Sequence, residues 1–91
     1  MEFEWDEKKR QANLAKHGVD FEDAVRIWDG SQLEVTSSRK GEERILAIGL
    51  LQDTVITVVF TWRGEKRRLI SARIARRNER ADYRQKIGRQ T

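Results

Sequence analysis

The sequence predicts an α+β domain with two N-terminal helices, an antiparallel meander of three to five strands, and a C-terminal helix. Three observations carry this expectation. Side chains recur at three- and four-residue spacing towards both ends of the chain. Apolar residues alternate at period two through the middle, between about residues 43 and 74. The breaks between the alternating runs are short, which favours antiparallel pairing of consecutive strands.

Taken in order, Phe3–Trp5 reads as a short strand. Asp6 is suited to cap a helix over residues 7–17, because its carboxylate accepts a first-turn N–H. Gly18 suits the left-handed position just beyond that helix. The helix offers only Ala12, Leu14 and Ala15 to a core. One of its sides carries Lys9, Asn13, Lys16 and His17, either a solvated face or a set of polar donors. Asp20 caps a second helix over residues 21–28, where Phe21, Ala24, Val25 and Trp28 form a core-facing stripe. Trp28 reads as a core anchor.

Strands follow at Leu33–Ser37, Glu43–Leu51, Thr54–Trp62 and Lys66–Ile74. Turns are expected over residues 38–42, at Gln52-Asp53, and at Arg63-Gly64-Glu65. In the last strand Leu69, Ser71 and Arg73 alternate with Ile70, Ala72 and Ile74. From Ala75 the period becomes helical and runs to residue 86. Arg76, Glu79, Arg80 and Tyr83 share one face of that helix. All three helices are expected on one face of the sheet.

At 91 residues the chain is expected to form one domain with a small core. It contains no cysteine and a single histidine, so thiolate chemistry is excluded and a metal site is not expected. No apolar run approaches a membrane span, and the N-terminus does not read as a signal peptide. A cytoplasmic protein is expected. The net charge is +4, and most of the positive excess lies in the last third. From Arg63 onwards there are 11 Lys+Arg against 3 Asp+Glu. This favours a polyanionic partner.

The sequence has no phosphate-binding glycine loop, no dinucleotide fingerprint and no HExxH. What remains is arginine, lysine, one histidine, scattered carboxylates and one tyrosine. That inventory suits RNA cleavage without a cofactor, because the ribose 2′-hydroxyl is itself the nucleophile. The protein need only move protons and stabilise charge on phosphorus. Arginine suits the second task through its planar, permanently charged fork. A nucleic-acid-binding module without catalysis would have the same composition.

Two stretches add a resemblance. WDEKKRQANLAKHGVDFEDAVRIW (Trp5–Trp28) resembles the opening of the BrnT family of toxins from bacterial type II toxin–antitoxin pairs. The matching positions are Trp5, Asp6, Lys9, Asn13, Lys16, His17, Gly18, Val19, Phe21, Glu22 and Ala24. RGEKRRLISARIARRNERADY (Arg63–Tyr83) is similar to the family's second signature at Arg68, Ile70, Ser71, Ala72, Arg73, Ala75, Glu79 and Tyr83. The resemblance implies a RelE-like fold and a ribonuclease that inhibits translation and growth. It also implies neutralisation by a BrnA-like antitoxin, with operator DNA bound only through that partner in a hetero-oligomer. Family members often carry Ser or Thr where Arg76 stands. Arg76 cannot accept the capping hydrogen bond, so the last helix is expected to start differently.

Lys9, His17, Arg73, Arg76, Glu79 and Tyr83 are the candidate catalytic residues. Arg73 is expected on the scissile phosphate. Glu79 is either a general base or the carboxylate that orients an arginine. His17 or Lys9 would supply the proton donor, provided the first helix packs beside the last strand. Arg63, Arg68, Asn13 and Lys16 are the candidate RNA-binding residues.

Overall fold

A computed structural model describes residues 1–39 and 41–87. Five strands form one sheet: β1 (Glu2–Glu4), β2 (Gln32–Arg39), β3 (Glu42–Leu51), β4 (Thr54–Arg63) and β5 (Lys66–Ile74). Their spatial order is β1-β5-β4-β3-β2. The segment β2–β5 is the expected antiparallel meander. The short β1 is different, because it joins the sheet parallel to β5, against Lys66–Arg68 only. Of the expected 38–42 turn, Lys40 lies outside the described residues, as do residues 88–91.

Helix α1 spans Glu7–His17, with Asp6 accepting the Lys8 N–H and Gly18 left-handed at φ 73°. The second helical segment is shorter than expected. Helix α2 covers only Phe21–Ala24 before the chain tightens into a 3-10 helix over Val25–Asp29. This tightening fits close packing on β3. A Cβ placed on Gly49 of that strand would lie 2.8 Å from the Ile27 Cβ. The glycine therefore admits the helical segment onto the sheet.

Helix α3 spans Arg77–Lys86 and starts two residues later than expected. The Ala75 N–H still bonds the Val55 carbonyl of the sheet. Arg76 is the N-cap, but its guanidinium has only donors and caps nothing. Only the Glu79 half of a capping box forms, with the Glu79 carboxylate accepting the Arg76 N–H at 2.8 Å.

The helices do not share one face. Phe21, Ala24, Ile27 and Trp28 pack with Ile45, Ala47, Ile56, Val58, Phe60, Leu69 and Ala72. Ala75 and Tyr83, flanking and within α3, pack with Ile48 and Val55. Side chains alternate across a strand, so Val55 and Ile56 point to opposite faces. Strand β4 is apolar on both sides, as a central strand must be when helices cover both faces. Trp28 is a core residue, 5.2 Å from the Phe3 ring and 5.4 Å from that of Phe60.

One irregularity positions the site. Val59 pairs with Ser71 but Phe60 pairs with Leu69, which leaves Ile70 as an extra residue in β5. Such a bulge reverses the alternation that follows it. Leu69 and Ala72 therefore enter the same core. Ser71 and Arg73, expected on the same side as Leu69, turn to the α3 face.

Candidate active site

Beyond Arg68, no strand among the described residues pairs with the outer side of β5, and α1 lies there instead. The contact is made by Asn13, which is buried. Its side-chain amide donates to the Ala72 carbonyl at 2.8 Å and to the Val19 carbonyl at 3.0 Å. Its oxygen accepts the Ala72 N–H at 3.1 Å. The amide thus pairs with Ala72 as the backbone of another strand would, and satisfies both Ala72 groups, which lie beyond the reach of β1. Arg10 ties α1 to the start of α2 by two hydrogen bonds to Asp20, at 2.7 and 3.0 Å.

This packing brings α1 and the second half of β5 together. Lys9, Lys16 and His17 line a groove with Ile70 and Ser71. A second groove shares Ile70 and Ser71 and continues over the open part of the sheet, past Val59 and Leu46 to Arg44, Arg73 and Arg76. Ser71 lies where the grooves meet. The histidine and two lysines occupy one rim, and arginines occupy the other.

Arg73 is held by a two-point fork. Its Nη1 and Nη2 donate to Glu79 Oε1 and Oε2 at 2.8 and 3.0 Å. The same Oε1 accepts the Thr57 hydroxyl at 2.8 Å and the Arg76 N–H at 2.8 Å. Burial raises the pKa of Glu79. The hydrogen bonds from Arg73, Arg76 and Thr57 outweigh burial and lower it to about 2. The carboxylate is therefore ionised at neutral pH. Arg73 still lines the second groove, and its Nε–H and outer Nη protons are not used by the fork.

Other expected residues lie elsewhere. Tyr83 belongs to the buried side of α3, among Ile48, Val55 and Ala75. Its hydroxyl is directed to the Ser31 carbonyl, at a long 3.4 Å. Arg63 and Arg68 stand towards the β1 end of the sheet and pair with Glu4, at 3.7 and 2.8 Å. Asn13 borders the groove, but its amide is engaged by backbone groups rather than presented to a ligand. Thr57, Gly49 and the bulge at Ile70 were not singled out from the sequence. A threonine set between Val55 and Val59 on one face of β4 is the signal the sequence offers for the first.

Among the described residues, no group of three His, Asp or Glu side chains is arranged to hold a metal ion. Among them also, no helix is long and apolar enough to cross a membrane.

Comparison with curated proteins returns no match. Among solved structures, the chain is similar to the ribonuclease toxin BrnT of Brucella abortus. Identity is 36% and the TM-score is 0.66, over 85% of this chain and 99% of that one. The family model described as "Ribonuclease toxin, BrnT, of type II toxin-antitoxin system" matches residues 5–79. That span includes both rims of the groove, and the chain belongs to the BrnT family of ribonuclease toxins.

Proposed function

We propose that this chain is a metal-independent RNA endonuclease whose active site is the paired groove between α1 and the open part of the sheet. The observation that carries this reading is the opposition of two groups across Ser71. One is an arginine fixed by a buried carboxylate, and the other is a rim bearing His17 and Lys9. In this reading Arg73 binds the scissile phosphate and stabilises the charge that develops there. Arg76, exposed at the start of α3, adds a second cation. Glu79 orients Arg73. A carboxylate with a pKa of about 2 is a weak base at neutral pH, and its oxygens already accept four hydrogen bonds. The ribose 2′-hydroxyl attacks phosphorus and gives up its proton to solvent water, the phosphorus–5′-oxygen bond breaks, and His17 or Lys9 protonates the departing 5′-oxygen while Lys16 holds the adjoining phosphate. Asn13 serves by holding α1 in place. Tyr83, Arg63 and Arg68 have structural roles in this account. The products are a 2′,3′-cyclic phosphate and a 5′-hydroxyl.

Family membership supports the wider setting, a RelE-like toxin acting in the cytoplasm to inhibit translation and growth. A BrnA-like antitoxin would cover the basic groove with acidic or apolar groups and carry the complex to its operator. The test uses purified protein and labelled RNA in EDTA, with and without the antitoxin. Cleavage to a cyclic phosphate, suppressed by the antitoxin, is the expected result. Loss of cleavage in EDTA with rescue by magnesium would refute the mechanism. Stoichiometric binding without cleavage would make the chain a nucleic-acid-binding module instead.

A further inference from the structure

Glu79 can aim Arg73 only if the carboxylate is itself fixed. Glu79 comes from α3 and Arg73 from β5, and the third side chain in the contact is Thr57 at the centre of β4. Thr57 is fully buried. It pairs directly with Arg73 across the two strands, so both side chains rise on the same face. Its neighbours on that face of β4 are Val55 and Val59, and a valine would continue the stripe. A hydroxyl at such a position is unfavourable unless it is hydrogen-bonded. Here it has one specific acceptor, Glu79 Oε1 at 2.8 Å.

We propose that Thr57 is a positioning residue for cleavage, whose hydroxyl fixes the Glu79 carboxylate and through it directs Arg73 into the groove. The proposal rests on the assignment of Arg73 to the scissile phosphate. Thr57 and the Arg76 N–H hold Oε1 from the sheet and from the helix start. Oε2 has Arg73 Nη2 as its partner. With one oxygen anchored from two elements, the carboxylate plane is set, and the two-point fork to the guanidinium follows from it. Without the hydroxyl the plane is free to turn about the remaining bonds. Arg73 then keeps its charge but loses its fixed direction. Such a change lowers the rate of the chemical step more than it lowers RNA affinity.

The experiment measures RNA cleavage by the full chain over a range of RNA concentrations, for the parent, Thr57→Val, Thr57→Ser and Arg73→Ala. Thr57→Val keeps the shape and removes the donor, and Thr57→Ser keeps the donor. Thr57→Val is expected to lower kcat about 10-fold, the order that one hydrogen bond to a charged group supplies. Its KM should stay within about twofold of the parent value, and Thr57→Ser should recover kcat to within about threefold. A 15N spectrum should show the Arg73 Nε–H signal broadened in the valine variant and sharp in the serine variant. If Thr57→Val does not fold, Thr57→Ala reads the same loss of the hydroxyl. Parent-like kcat in the variant lacking the hydroxyl would overturn the proposal. So would a serine variant as impaired as the valine variant, because the effect would then come from lost methyl packing. Arg73→Ala separates the two levels. Inactive Arg73→Ala beside parent-like Thr57→Val removes the role of Thr57 alone, whereas active Arg73→Ala removes the site assignment itself.

Discussion

Replacing Glu79 by glutamine isolates what the buried carboxylate contributes. The carboxylate is ionised in the folded chain down to about pH 2, against an ordinary 4.5. That displacement corresponds to about 3 kcal/mol of differential interaction favouring the charged form. Glutamine keeps one acceptor oxygen but turns an N–H2 towards a guanidinium nitrogen, which is itself a donor. Glu79→Gln should therefore unfold about 3 kcal/mol more easily at pH 7 in urea. The sign of the pH dependence follows from the direction of the shift. Between the two pKa values the unfolded chain binds a proton that the folded chain does not, so the contribution falls as pH falls. It is complete above about pH 5 and lost on approaching pH 2, so the gap between parent and variant should close over that window. A gap that stays constant from pH 7 to pH 2, or one below about 1 kcal/mol throughout, would show that the Arg73–Glu79 fork does not form as described. In cleavage assays Glu79→Gln should be less impaired than Glu79→Ala, because the amide can still accept from one donor. Equal loss in both would favour a proton-transfer role for the carboxylate.

Other substitutions test neighbouring parts of the argument. Arg73→Ala should slow RNA cleavage by about 100- to 1000-fold in a single-turnover assay. It should also lower the melting temperature, since it leaves a buried carboxylate without its cation. Asn13→Ala removes the partner of the Ala72 and Val19 backbone groups and should cost about 1–3 kcal/mol in chemical denaturation. It should also reduce cleavage by releasing the rim that carries His17. Gly49→Ala places a methyl group against Ile27 and should destabilise by about 1–3 kcal/mol, seen as a lower melting temperature. Its cleavage rate below the melting range should match the parent, because the contact lies on the face opposite the groove.

The sequence by itself determined the elements that depend on neighbouring residues. Helix α1 begins and ends where Asp6 and Gly18 require, because a cap is satisfied within a few residues of its own position. Strands β3, β4 and β5 fall where the period-two pattern and the short turns put them. The polar side of α1 and the basic strand–helix junction were legible as candidate sites, since each is a local cluster. Their meeting was not, because it depends on Asn13 bonding Ala72, 59 residues away. The parallel pairing of β1, the distribution of helices over both sheet faces, and the departure of Tyr83 from the groove were likewise decided by tertiary packing. So was the direction of Arg73. A strict two-residue alternation points it to the side of Leu69, and the extra residue at Ile70 turns it to the side of Glu79. A bulge arises when pairing with β4 and burial of both Leu69 and Ala72 have to be satisfied together. That compromise is set by the assembled sheet, and no local pattern in the chain encodes it.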